Sequence, residues 1–418
     1  MRRSSFLPLA LLLVATPLRA AEARISVNDV ARQRAPVALL EPDGTARVIW
    51  ENSKLGIMSR VVPADDPASA TTEEKILVSN THLSSVPGEG IVITHRQPVA
   101  VSDGSGGFWL VWVREKAYVK AAPFWESRDV LSQEIRRWQF DRNGKPVGSD
   151  GVVAWARGAN RAQTAAIGTA DGGFVVAWSS SDGDTTPGPR DGVFVRWFDS
   201  DGKAFGTSVR VSAIEDGDLA TWPSLTIDAR GRLLVLWQAP DGSSTGIFGR
   251  MFDEKRAPLD ATQRLNLNLV GTEKRPSAVA LDDGGFLVFW QGPRGSGAST
   301  RVFLRQLDAE GNPIGAERAI SSASFFHEMG PAVAPTPRGT YFVAWVAWDS
   351  MFPREIRGVE LRSDGTIVGD EQKLSTFGIN AQYRATVVAG QGTGLFTVWE
   401  GFPDRRAAIS GTRLDFLD

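Results

Sequence analysis

The eight residues DGGFVVAW at 171–178 recur along the chain with small changes. Close versions are SGGFWLVW at 105–112, DGGFLVFW at 283–290 and GTYFVAWV at 339–346. An internal repeat of this length is typical of folds built from stacked or radially arranged copies of one unit. The unit and the number of its copies therefore predict the architecture better than the length of 418 residues does.

Seven tryptophans end the phrase and define seven units, spaced 53 to 66 residues apart. They are Trp50, Trp112, Trp178, Trp237, Trp290, Trp345 and Trp399.

Each unit predicts four strands. A small apolar strand such as PVALL at 36–40 leads through a glycine turn into the strand that ends on the tryptophan. A third strand such as GIFGRMFD at 246–253 and a turn such as AEGNPIG at 309–315 follow, and then a short fourth strand. Glycine in these turns supplies the positive φ that tight hairpins require.

The second strand is apolar at nearly every position, so both of its faces must be covered. Sheets arranged radially meet this demand, because each middle strand is sandwiched between neighbouring sheets. The sequence therefore predicts an all-β fold, a seven-bladed β-propeller that forms one domain over residues 23–418.

The two ends of the chain predict how the ring closes. The seventh unit has a third strand, ISGTRLDF at 409–416, but no fourth strand after it. ARISVND at 23–29 resembles fourth strands such as VRVSA at 209–213. We expect this N-terminal strand to complete the last blade and to remove an exposed sheet edge.

The units resemble a degenerate repeat of bacterial secreted and surface proteins. That repeat reads D-G-G-F-V-V-A-W, then G-x-x-x-R-x-F-D-x-x-G-x-P-x-G, then a V-S or V-N strand. Residues 171–178, continuing to Phe198, Asp199, Gly202 and Gly206, carry the resemblance. It implies an extracellular propeller and no particular activity.

The first twenty residues, MRRSSFLPLALLLVATPLRA, have the pattern of a secretory signal peptide. Arg2 and Arg3 precede an apolar run that is too short to span a bilayer, and small residues at 20–23 offer cleavage sites. We expect a protein secreted or released into a periplasm, without membrane insertion. Because the chain has no cysteine, it has no thiol nucleophile and no disulfide.

The charge pattern argues against nucleic-acid binding, since 46 basic and 48 acidic residues leave a net charge of −2 and no basic run. The three histidines lack metal-ligand spacing, and the Asp-Gly turns lack the alternating acids of a calcium loop. We therefore expect no metal and no cofactor. A monomer is expected unless a larger complex recruits the chain.

Arginine stands just before the first strand in five of the seven units. Because this strand begins at one rim of a propeller channel, the five are expected to ring one channel mouth, where an anionic ligand or an acidic partner could bind. The alternative is that each arginine pairs with an acid or carbonyl of a neighbouring blade and only fixes the repeat. The five are Arg34, Arg96, Arg161, Arg275 and Arg384.

The same face is expected to carry the irregular loops and all three histidines, and such irregularities often mark the binding face of a repeat protein. Trp222 replaces the arginine in unit four, and Trp125 lies in the longest insertion, 114–133. Trp348 and Tyr383 lie in loops of the last two units. Together with the five arginines, these four residues form the predicted ligand-binding or partner-binding site.

Two functions remain open on the sequence. The leading hypothesis is a non-catalytic binding or scaffold propeller for a protein, peptide or glycan, because no nucleophile motif or phosphate loop is present. The alternative is a carbohydrate-active, sialidase-like hydrolase at the channel mouth. Its candidate residues are Arg34, Arg96, Arg384, Tyr383, Glu51 and Glu400.

Overall fold

A computed structural model describes fifteen segments of the chain. They are residues 18–19, 22–27, 31–86, 89–122, 125–156, 163–180, 192–213, 220–268, 271–295, 299–322, 325–349, 354–376, 385–389, 394–401 and 408–415.

These segments hold thirty strands and one short 3₁₀ helix, Pro67–Ser69. The strands are β1 (Leu18–Arg19), β2 (Ala23–Arg24), β3 (Gln33–Leu40), β4 (Thr45–Asn52), β5 (Gly56–Pro63), β6 (Lys75–Ser79), β7 (Thr81–Val86), β8 (Glu89–Ser102), β9 (Phe108–Ala122), β10 (Trp125–Phe140), β11 (Pro146–Ala156), β12 (Thr164–Gly168), β13 (Phe174–Ser180), β14 (Gly192–Phe198), β15 (Val209–Arg210), β16 (Thr221–Ile227), β17 (Leu233–Pro240), β18 (Thr245–Phe252), β19 (Gln263–Arg264), β20 (Lys274–Ala280), β21 (Phe286–Pro293), β22 (Thr300–Leu307), β23 (Pro313–Ala319), β24 (His327–Pro335), β25 (Tyr341–Trp348), β26 (Glu355–Leu361), β27 (Ile367–Lys373), β28 (Ala385–Ala389), β29 (Gly394–Gly401) and β30 (Ala408–Asp415).

Seven antiparallel sheets form the blades of a propeller, which confirms the predicted all-β fold class. Blade 1 is β3 to β6, blade 2 is β8 to β11, and blades 3 to 6 take the next sixteen strands in groups of four. Blade 7 consists of β28, β29 and β30 with the N-terminal strands β1 and β2. Within a blade each strand pairs with the next one along the chain, so the sequence units and the sheets coincide.

The apolar second strands form the centres of the cores between blades. All residues of β13 are buried, and one side of this strand packs on blade 2 while the other packs on blade 4. The seven repeated tryptophans are at most 1% exposed. These large, buried side chains fill the space between blades.

The ring is closed by the N-terminus, as predicted. Ile25 donates its backbone N–H to the Ile409 carbonyl over 2.7 Å, and the Ser26 hydroxyl accepts from Ile409 N–H over 2.9 Å. In blade 6 the fourth-strand residues Leu374 and Ser375 make the same two bonds to Ile356, at 2.7 and 3.0 Å. The N-terminal segment therefore occupies the fourth-strand position of blade 7.

Blade 2 is the irregular blade, and the sequence insertion at 114–133 is the cause. Strands β8, β9 and β10 run for 14, 15 and 16 residues and extend past the ends of the other blades. The additional strand β7 pairs with the inner edge of β8. No helix in the described segments is long and apolar enough to cross a membrane.

Candidate functional site

The starts of the first strands and the ends of the second strands meet around a cavity of about 550 Å³ at one end of the channel. We call it the mouth cavity. Its volume is in the range of small-molecule sites. The charged and aromatic residues that line it in the described segments are Arg34, Glu51, Arg96, Trp222, Arg275 and Glu400.

A bulge shapes the first strand of five blades at this rim. In blade 4, Thr221 pairs with Gln238 and Ser224 pairs with Leu236, so Trp222 and Pro223 together stand opposite Trp237. Proline has no N–H to give to the ladder, and a bulge accommodates it. Blades 3 and 7 have no proline here, and their first strands pair without a shift.

The residue before each of these prolines has a positive φ, which costs a non-glycine residue about 1–3 kcal/mol. We call these five positions the bulge residues. They are Ala35 (48°), Gln97 (52°), Trp222 (55°), Arg275 (55°) and Gly330 (64°).

Side chains of the preceding blade hold three of the bulges in place. The Glu51 carboxylate accepts from Gln97 N–H over 3.2 Å. The Gln163 and Gln238 side-chain oxygens accept from the N–H groups of Trp222 and Arg275 over 2.6 and 3.1 Å. A backbone donor that the bulge removes from the ladder is thereby satisfied across the blade interface.

The predicted arginine ring divides into two positions. Arg34 and Arg96 precede the bulge residue of their blades, whereas Arg275 is itself the bulge residue. Trp222 aligns with Arg275 and not with Arg34. Arg34, Arg96 and Arg275 all line the mouth cavity, and their spacing from the proline, two residues or one, decides which of the two positions each takes. Arg161, Arg384 and Tyr383 lie outside the described residues.

Arg96 is tied to its own blade. It forms an ion pair with Glu115, which is 1% exposed and also accepts from Arg128 Nη2 over 2.6 Å and from Gln133 Nε2 over 2.8 Å. The alternative prediction expected a partner in a neighbouring blade, whereas this contact lies within blade 2. Arg34, by contrast, is exposed and forms no ion pair with any carboxylate of the described segments.

Glu51 is the most buried acid of the mouth cavity, at 6% exposure. Burial raises the pKa of its carboxyl, although the Gln97 N–H and the nearby Arg96 and Arg34 act in the opposite direction. Glu400 occupies the corresponding position in blade 7, directly after the repeated tryptophan, and lines the same cavity. The cavity thus holds the Glu51 carboxyl, which retains its proton to a higher pH than an ordinary glutamate does. The Glu400 carboxyl stands at the corresponding strand position of blade 7.

Trp222 and Arg275 form a pair on the wall of blades 4 and 5. Arg275 Cζ lies 4.8 Å from the centre of the indole ring, a cation–π distance.

Trp348 lies away from this cavity. Trp348 stacks on His327, with ring centres 4.7 Å apart, and Arg354 Cζ lies 4.6 Å from the indole. Burial and the Arg354 charge lower the pKa of His327. Trp125 begins β10 in the extension of blade 2. The structure therefore does not bring Trp348 together with the mouth arginines.

His95 has a packing role that the sequence did not suggest. Its Nδ1 accepts from the Trp112 indole N–H over 2.7 Å, and Gln33 accepts from Trp50 in the same way in blade 1. Burial, with the nearby Arg114 and Arg136, lowers the pKa of His95 to about 4. Within the described segments no group of three or more histidine, aspartate or glutamate side chains could hold a metal ion.

The sequence pattern also gave no indication of the roles of Gln97 and Glu115. A signal for the bulge was present, because the residue before a proline is restricted and X-Pro recurs at the same place in five units. The contact of Arg96 with Glu115 had no comparable signal, since it depends on strand pairing.

No protein-family model matches the sequence. A search of curated proteins also finds no match. The repeat resemblance consequently stays a prediction.

Solved structures do share the fold. An ulvan lyase, a polysaccharide lyase bound to -[GlcA(1-4)Rha3S]-, matches with a TM-score of 0.57 and 8% identity over 94% of this chain and 95% of that chain. A protein of unknown function from Dyadobacter fermentans DSM 18053 matches with a TM-score of 0.54 and 12% identity over 81% and 98%. A fungal alcohol oxidase of the AA5 family, in complex with copper, matches with a TM-score of 0.53 and 11% identity over 96% and 76%.

The leading functional prediction was wrong. A non-catalytic binding or scaffold propeller was expected, but the similar structures include carbohydrate-active enzymes, among them the ulvan lyase. The low sequence identities show similarity of fold alone.

Proposed function

We propose that this chain is a carbohydrate-active enzyme, a hydrolase that acts on a glycan in the mouth cavity. The observation that carries the proposal is the buried Glu51 carboxyl, which lines a cavity of about 550 Å³ together with Glu400 and Trp222. Paired carboxyl groups of unequal environment are the usual equipment for glycoside hydrolysis.

In this proposal Glu51 is the general acid. Its raised pKa keeps the proton available for the glycosidic oxygen as the bond to the leaving sugar breaks. Glu400 takes a proton from the water that adds to the anomeric carbon. The bond between the anomeric carbon and the glycosidic oxygen breaks, and a bond between that carbon and the water oxygen forms. The proton lost by Glu51 is balanced by the proton gained by Glu400.

Trp222 supplies the apolar surface that a sugar requires. Its indole is only partly buried and lies at the cavity rim, on a bulge held by Gln163. Aromatic rings provide a large contact area with little loss of side-chain entropy. The ulvan lyase of similar fold is described as bound to a saccharide, and this supports a glycan as the partner of our chain. Export remains part of the proposal on the sequence alone.

The test is an activity screen of neutral, uronic-acid and sulfated oligosaccharides, with reducing-end release as the readout. We expect Glu51→Gln to reduce hydrolysis by about 10²-fold or more, as for loss of a general acid. Glu254→Gln is the matched control, because this exposed residue lies in a third-to-fourth-strand turn on the opposite face.

Full activity in Glu51→Gln would overturn the assignment of the acid. Products with an unsaturated terminal sugar would show elimination instead of hydrolysis. No cleavage of any glycan in the screen would remove the proposed function.

A further inference from the structure

The five bulge residues make the mouth cavity asymmetric. All five line it, but only Trp222 and Arg275 have large side chains, and these two belong to neighbouring blades. The remaining bulge residues are Ala35, Gln97 and Gly330. At this level of the channel, the wall of blades 4 and 5 therefore carries the aromatic side chain and the positive charge.

Arg34 faces this wall from blade 1. Two blades separate blades 5 and 1 in one direction around the ring and three in the other, so Arg34 and Arg275 approach the cavity from opposite sides. Stacking on Trp222 restrains the Arg275 guanidinium, which remains charged at all physiological pH values.

The other charges of the cavity leave a positive balance. Glu115 forms an ion pair with Arg96, and its carboxylate is shared with Arg128. Burial of Glu51 disfavours its anionic form. Among the described residues that line the cavity, three are arginines and two are glutamates. In a concave site with low-dielectric walls, this surplus raises the local concentration of anions.

We propose that the substrate carries an acidic group, a carboxylate or a sulfate ester, and that Arg34 and Arg275 bind it from opposite sides of the mouth cavity. This inference rests on the proposed function, because it names the substrate class of the same site. Guanidinium groups donate charge-assisted hydrogen bonds to either anion, and these are stronger than bonds to a neutral hydroxyl.

The experiment measures binding by titration calorimetry on the full chain, independently of cleavage. The probes are trigalacturonic acid, its methyl ester, and a sulfated galactose oligosaccharide with its neutral counterpart. We expect each acidic probe that binds to do so at least about tenfold more tightly than its neutral counterpart. The acid and the sulfate arms identify which anion the site takes.

Two variants use residues that this chain already tolerates at the same positions. Arg275→Gln copies Gln97, the bulge residue of blade 2, and Arg34→Met copies Met329 of blade 6. Each is expected to weaken binding of the acidic probe about tenfold or more and to leave the neutral probe unaffected. Urea unfolding of each variant shows whether the fold is retained.

Arg256→Gln is the matched control. Arg256 also has a positive φ, 71°, and its guanidinium lies 3.5 Å from the centre of the Phe205 ring, but it belongs to a turn on the opposite face. This variant should bind both probes like the wild type.

Equal affinity for acid and ester, or unchanged binding in both arginine variants, overturns the inference. Cleavage of a neutral glycan without binding of either acidic probe removes the inference and leaves the proposed function. Binding of an acidic probe without cleavage of any glycan removes the proposed function and leaves the inference that the site binds an acidic group.

Discussion

The carboxylate of Glu51 in blade 1 accepts a hydrogen bond from the backbone N–H of Gln97 in blade 2, with 3.2 Å between Oε2 and N. The proposed acid is thus also the group that satisfies a strained bulge. The Gln238 side chain likewise accepts a hydrogen bond from Arg275 N–H, at the interface of blades 4 and 5. Catalytic and architectural roles of Glu51 can therefore be separated by the choice of substitution.

We expect Glu51→Ala to lower the free energy of unfolding by about 1–3 kcal/mol, because it leaves the Gln97 N–H without its acceptor. Glu51→Gln should change it by less than about 1 kcal/mol, because an amide oxygen accepts the same bond. Urea unfolding of both variants measures the difference. Equal losses in the two would show that the bond from Gln97 does not stabilise the bulge.

Ser26→Ala tests the closure of the ring. Removal of the hydroxyl leaves the buried Ile409 N–H without its side-chain acceptor, and we expect a loss of about 1–3 kcal/mol. Ser375→Ala is the matched control, since it removes the corresponding bond to Ile356 inside blade 6. Similar losses are expected. A neutral Ser26→Ala beside a destabilising Ser375→Ala would contradict closure by the N-terminal segment.

His95 should make the fold sensitive to acid. Burial lowers its pKa from 6.5 to about 4, so between these values the unfolded chain binds more protons than the folded chain. Stability then falls as the pH falls through this window, by up to about 3 kcal/mol. His95→Gln, which copies the Gln33 arrangement with Trp50, should unfold with a smaller pH dependence. Urea titrations from about pH 7 to about pH 4 measure the two slopes, and parallel slopes would contradict the prediction.

Glu328 should act in the opposite direction. It is fully buried, and burial raises its pKa from 4.5 to about 7. The folded chain then binds the extra proton between these values, so stability is lost as the pH rises through them. We expect Glu328→Gln to be about 2 kcal/mol more stable than the wild type near pH 8 and nearly equal to it near pH 4.5. Its amide oxygen can still accept from the Ser321 hydroxyl. A variant that is less stable at both pH values would refute this account, and Glu254→Gln provides the exposed control.

The blade number could be predicted because the same residue types are needed wherever blades pack alike. Trp178 and Trp237 are buried for the same reason, so the period of the tryptophans is the period of the sheets. The closing strand could be predicted on the same basis, since Ile25 and Ser26 repeat the residue types of Leu374 and Ser375.

The site could be predicted only in part. Arg34 and Arg275 both stand just before a first strand, but Arg34 lies two residues before its proline and Arg275 lies directly before it, so only Arg275 is a bulge residue. The partner of Arg96 depends on which side chains share a face of β8 and β9, and no local pattern reveals that. Trp348 was predicted in a loop of the binding face, but it is the last residue of β25 and packs with His327 away from the mouth cavity.

The bond between Ser26 and Ile409 joins residues 383 positions apart, and this separation has a consequence for folding. Contacts between distant residues form slowly, because the intervening chain must first be brought together. Blades 1 to 6 can assemble one after another from residues close in sequence. The contacts between the N-terminal segment and β30 in blade 7 can form only once β30 is present. Until then the sheet edges on both sides of the gap remain exposed to other chains. Pairing of β30 with the N-terminal segment therefore converts an aggregation-prone open arc of blades into a closed ring.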